Sequence, residues 1–233
     1  MADANATNDV IASIGNIIAA VAALGTAAMG LVDAAKAFSG GPSNFGFGDI
    51  TTQLSPFLPS EGVGAYNRTV LLQTLRANWI NGVDRSEQKA KAKSLIHLGL
   101  SKGNAAQLAD AAGVDAEALK SLAQKTASGQ AATPEEINAL GQFDAILSAI
   151  LDAAYERADQ RYRNACKVIA TVIAIVLGVI AGVVIDPAKS TGWIIGLIAG
   201  VIAVPVAPVA KDLVTTLQAA ASAVQTTRRG FRR

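Results

Sequence analysis

The chain has 233 residues, 51% of them hydrophobic and only 16% charged, with a net charge of +2. So small a net charge does not by itself imply nucleic-acid binding, so the placement of the charges matters more than their sum; the single Cys166 excludes an internal disulfide framework, and the single His97 excludes the usual multi-histidine metal sites. Aromatic residues are 5% of the chain, so the apolar content comes from Ala, Ile, Val and Leu, the composition of closely packed helices; an all-α fold is expected.

Residues 1–9 contain Asp3 and Asp9 and no Lys or Arg, unlike the basic start of a cleaved secretory signal, so they read as a short external tail before a retained apolar segment. Val10–Val32 is uncharged, and residues 10–37 form the first candidate transmembrane helix. Val10, Ile14, Ile17, Val21, Leu24 and Leu31 give one large face; Ser13, Asn16, Ala20, Ala23, Ala27 and Gly30 give a small one. That pattern suits a span whose small face admits a neighbouring helix, and it equally suits an Ala-rich bundle or interfacial helix.

Residues 38–67 read as a Gly/Pro/Phe-rich connector. Ser39-Gly40-Gly41-Pro42, Phe45-Gly46-Phe47-Gly48 and Ser55-Pro56-Phe57-Leu58-Pro59 are expected to break any helix repeatedly, leaving either an interfacial loop or a flexible linker.

Residues 68–160 read as a small cytoplasmic helical domain. Val70, Leu71, Leu75 and Trp79 begin an amphipathic helix, and Ser86–Leu98 continues with Lys89, Lys91 and Lys93 before breaks at Gly99 and Gly103. The lysines suit a solvated face or a surface near anionic headgroups. Ala105–Leu119 resembles, in outline, a DNA-binding helix-turn-helix, but its second helix opens with Asp115 and Glu117, which phosphates repel, so no nucleic-acid partner is expected. Thr133-Pro134-Glu135-Glu136 has the form of an N-cap, a first-turn proline and a capping box. Helical spacing then runs through Ile137, Leu140, Leu147, Ile150, Leu151, Ala154, Ala158 and Tyr162 with no proline before Pro187. The readings are a single rod of roughly 75 Å entering the next span, or a break near Asp159 or Asn164.

Residues 161–212 read as a transmembrane hairpin. Its uncharged stretches, 168–185 and 192–210, each reach roughly 27 to 29 Å, about the thickness of a bilayer core, and Asp186–Ser190 supplies the turn. Gly178 and Gly182 on one span, and Gly192, Gly196 and Gly200 on the other, recur every four residues and form helix-packing grooves. The two spans use these grooves on each other, or the grooves build a homo-oligomer. Pro205 and Pro208 are expected to kink the last span, because they deprive the carbonyls of Val201 and Val204 of helical partners. Trp193, Arg157, Arg161, Arg163, Lys167 and Lys211 are the expected membrane-interface residues. Residues 213–233 form a basic tail ending in Arg228, Arg229, Arg232 and Arg233. Positive-inside logic places the N-terminus outside and the C-terminus in the cytoplasm, as in a bacterial inner-membrane protein.

No catalytic, cofactor-binding or metal-binding constellation has useful spacing: His97 lies between Ile96 and Leu98, and Cys166 adjoins Lys167 at a membrane boundary. The expectation is an all-α integral membrane protein with three spans and a small cytoplasmic helical domain, a non-enzymatic scaffold that self-assembles in the lipid bilayer. A pore-forming or channel-like effector and an accessory subunit of another membrane protein are the alternatives.

Overall fold

The computed structural model describes residues 3–35, 38, 40–59, 67–101, 103–185 and 191–230, and every regular element among them is helical. The helices are α1 (Asp3–Ala35), α2 (Ser43–Leu54), α3 (Arg68–Ile80), α4 (Arg85–Ser101), α5 (Ala105–Ala112), α6 (Ala116–Ser128), α7 (Pro134–Ile185) and α8 (Gly192–Gly230), with a 3-10 turn at Ser55–Phe57. They divide into two compact units, one of Ser39–Arg163 and one of Met1–Phe38 with Asn164–Arg233.

In the Ser39–Arg163 unit, α7 starts as its first four residues dictate. The Thr133 backbone N–H donates to Glu136 Oε2 at 2.8 Å, and the Glu136 N–H approaches Thr133 Oγ1 at 3.4 Å, which completes the capping box. Glu136 also accepts from Lys125 Nζ at 2.7 Å and Ser121 Oγ at 2.6 Å. These contacts, the Lys125 hydrogen bond foremost, hold its carboxyl down at about 2. From this start α7 runs unbroken to Ile185, through Asp159 and Asn164, where a break was the other reading.

The core of this unit gathers Phe143, Leu147, Leu151, Tyr155 and Ala158 of α7 with Leu75 of α3, Ile96 of α4, Leu108 of α5 and Leu119 of α6. Helices α5 and α6 meet across Gly113, whose φ of 67° is the left-handed conformation glycine adopts without strain. The Asp115 side chain caps α6 by accepting from the Ala118 N–H at 3.0 Å. Asp115 thus serves the helix terminus at the position where a groove-reading helix would need a base-contacting side chain.

The segment expected to break helices repeatedly carries α2 instead, and Phe47, Ile50, Leu54 and Phe57 join the same core. Gly46 is the reason. A Cβ there would lie 2.5 Å from the Ala158 carbonyl oxygen and 2.7 Å from Trp79 Cζ2, so its missing side chain lets α2 lie directly on α7. Trp79 Nε1 donates to the Ser43 carbonyl at 2.7 Å, Arg161 pairs with Asp49 at 3.1 Å, and Gln107 Nε2 donates to the carbonyls of Pro56 and Leu58. Gly99 likewise stops nothing: α4 continues to Ser101.

Among the described residues, three helices are long and apolar enough to cross a membrane: α1 over Ala12–Ala35, α7, and α8 over Gly192–Ala210. The segments expected as tails are helical as well. Helix α1 begins at Asp3, and α8 continues to Gly230, because neither junction holds a residue that stops a helix. The expected turn Asp186–Ser190, Lys36 beyond the first span, and Arg232 and Arg233 lie outside the described residues.

Candidate functional site

The glycine rows of α7 and α8 face each other. A Cβ on Gly178 would run into the Gly196 carbonyl oxygen, one on Gly182 into the Gly192 carbonyl oxygen, and one on Gly196 into the Gly178 carbonyl oxygen. At Gly200 it would lie 2.5 Å from Ile175 Cα and 2.6 Å from the Ala174 carbonyl oxygen. Pairing Gly178 with Gly196 and Gly182 with Gly192 makes the helices antiparallel, with backbones closer than any side chain allows. Of the two uses open to these glycines, the structure shows the one within the chain, α7 against α8.

Helix α1 completes this unit. Gly25 sits against Ala203 and Ala207 of α8, and Val21, Ala28 and Val32 pack with Ala170, Ala174, Ala203 and Val204. The close approach falls where Pro205 and Pro208 lie inside α8, so α1 is the neighbour beside the stretch whose carbonyls lose helical partners. Cys166 packs half-buried against the same cluster.

The packing is inverted relative to a water-soluble bundle. Ala28, Ala170, Ala174 and Ala203 are fully buried, whereas Val184 is 70% exposed and Ile195 66%. Val168, Val172, Val176, Ile180, Ile194, Ile198 and Ile202 also face outward, as does Trp193 at the start of α8. In water each exposed aliphatic side chain would forfeit about 1.5 to 3 kcal/mol of burial; in hydrocarbon it forfeits nothing.

Between α1 and the hairpin lies an open apolar groove of about 790 Å³, lined by Ile17, Ala20, Leu24 and Ala27 of α1 and by Ala181, Gly182, Ile195 and Ala199 of the hairpin. Thr191 is the polar residue on its wall. The small face of α1, Ser13, Asn16, Ala20, Ala23, Ala27 and Gly30, remains exposed along its length.

The expected interface cations have individual fates. Arg161 pairs with Asp49 and Arg163 with Asp159 at 2.8 Å, while Arg157 and Lys167 face outward. The Lys211 side chain lies outside the described residues. On α4, Lys89 pairs with Asp152, Lys91 with Glu87 at 2.8 Å, and Lys93 with Asp144 at 3.4 Å. The lysine row is therefore neither a bare solvated face nor a bare headgroup surface, since its charges are matched by α7 and by α4 itself. Sequence reasoning missed this because the matching acids Asp144 and Asp152 sit in a distant helix.

Among the described residues no group of three or more His, Cys, Asp or Glu is placed to hold a metal ion. Comparisons of the chain with protein-family models, curated proteins and solved structures give no match.

Proposed function

We propose that this chain is an integral membrane protein that acts as a non-enzymatic structural component and assembles laterally with copies of itself. Helices α1, α7 and α8 span the bilayer, with the N-terminus outside and Ser39–Arg163 in the cytoplasm, as the cations Arg157, Arg161, Arg163, Lys167 and Lys211 flanking the spans suggest. The observation that carries this reading is the inverted packing: alanine and glycine inside, valine and isoleucine outside.

Self-assembly draws support from α1. Asn16 presents an exposed carboxamide on the candidate span of α1, and lipid tails offer it no hydrogen bond. The Asn16 of a second copy supplies both donor and acceptor, and Ala20, Ala23 and Ala27 beside it admit a close backbone.

The test is the mass and symmetry of the protein extracted in nanodiscs, read with dye retention by liposomes that carry it. A symmetric oligomer in sealed liposomes is expected. A soluble monomer would overturn the membrane reading, a nanodisc monomer the self-assembly, and leaking liposomes would favour a pore.

A further inference from the structure

The Ser39–Arg163 unit holds a second cavity, independent of the membrane reading. It has a volume of about 410 Å³ and is walled by Leu100 of α4, Leu119, Leu122, Ala123 and Ala127 of α6, and Leu140 of α7. That size lies within the range of small-molecule sites, which are mostly apolar with a few placed polar groups.

Its polar lining residues are His97 and Thr126. The Thr126 hydroxyl is already committed, donating to the Leu122 carbonyl at 2.8 Å. His97 is held from outside the cavity: Nε2 lies 2.6 Å from Asp144 Oδ1, at ion-pair distance without hydrogen-bond alignment, and the ring packs edge-on against Phe143 at 5.7 Å. Asp144 is also shared with Lys93 at 3.4 Å. One carboxylate thus stands against two basic side chains, the Lys93 ammonium and the His97 imidazole, at this end of the cavity.

We propose that the cavity binds a small apolar carboxylic acid, its hydrocarbon body against the leucines and its carboxylate at the His97 imidazole. At roughly 30 Å³ for each water-sized group, the volume accommodates about a dozen non-hydrogen atoms. A neutral alcohol of the same shape would fill the walls but bring no carboxylate to the imidazole. An amine would add a cation near Lys93.

The experiment titrates the full chain in nanodiscs with 1-naphthylacetate and with its neutral isostere 2-(1-naphthyl)ethanol, following binding by ligand-observed NMR against empty nanodiscs. Saturable binding of the acid is expected, about tenfold tighter than that of the alcohol. Ala123→Phe, which fills the cavity, removes binding of both ligands, and Ala127→Phe does the same from the cavity's outer wall. His97→Gln brings the acid and alcohol to within about twofold of each other. An unchanged circular dichroism spectrum shows that each variant is folded. Acid binding no greater than in empty nanodiscs, undiminished binding by both phenylalanine variants, or an acid preference that survives His97→Gln would each overturn the proposal.

Discussion

Gly178 and Gly196 face each other so closely that a side chain on either would strike the other's backbone carbonyl. Replacing Gly178 with Val forces α7 and α8 apart along the whole seam. The expected cost is about 1–3 kcal/mol, the range for overpacking a tight interface. Gly15→Ala is the control, since a Cβ there meets nothing within 4 Å, and it is expected to stay within about 0.5 kcal/mol of the parent. Unfolding of both variants in bicelles measures the difference, and equal stabilities would refute the seam.

Filling the groove beside α1 separates insertion from assembly. Ala23→Leu with Ala27→Leu places bulk on the small face while leaving the span apolar. The variant is expected to enter membranes as the parent does but to emerge as a monomer in nanodisc mass measurements. An oligomer of unchanged mass would place the contact between copies elsewhere.

Three helices long and apolar enough to cross a membrane were legible in the sequence, because an uncharged run of span length is a local signal. The capping box at Thr133–Glu136 was equally plain, being four consecutive residues with one geometry. The partner of a glycine row was not legible. A four-residue period in Gly178 and Gly182 announces a close approach without saying to which helix. The segment around Gly46 misled for a related reason: the glycine read as a helix breaker is there to let α2 lie on Ala158, a residue far along the chain. The Lys89–Asp152 and Lys93–Asp144 pairs were hidden by the same distance in sequence.

Gly46→Ala tests that docking directly. The added methyl meets the Ala158 carbonyl and the Trp79 ring, so α2 is expected to lift and to cost about 1–3 kcal/mol. Trp79 then loses its hydrogen bond to the Ser43 carbonyl. In a Trp193→Phe background, where Trp79 is the remaining tryptophan, its emission should shift to the red.

Acid should weaken the Ser39–Arg163 unit through Glu136. Its folded pKa, about 2, lies below the ordinary value of 4.5, so its contribution is complete above about 4.5 and is lost as pH falls toward 2. Melting followed by circular dichroism between pH 7 and pH 3 is expected to show this decline in the parent. Glu136→Gln should be less stable at pH 7 and lack that part of the decline. A parent and a variant that fall in parallel would remove Glu136 from the account.

Tyr155 is fully buried, its hydroxyl has no hydrogen-bond partner among the described residues, and burial pushes its pKa up to about 12. Tyr155→Phe keeps the ring contact with Trp79 and removes a desolvated polar group. Stability is expected to rise by up to about 1 kcal/mol, and a loss of that size would show the hydroxyl to be satisfied in solution.

The seat of Gly25 against Ala203 also bears on the order in which the protein is made. The two helices of the glycine seam follow one another in the chain and can pair as soon as they leave the ribosome. Helix α1 emerges first, yet its partner α8 emerges last. At roughly 5–20 residues per second, α1 waits on the order of ten seconds or more with its Val21, Gly25, Ala28 and Val32 face uncovered. Docking of α1 on α8 therefore follows synthesis of α8, and through that interval the Gly25 face is open to another partner.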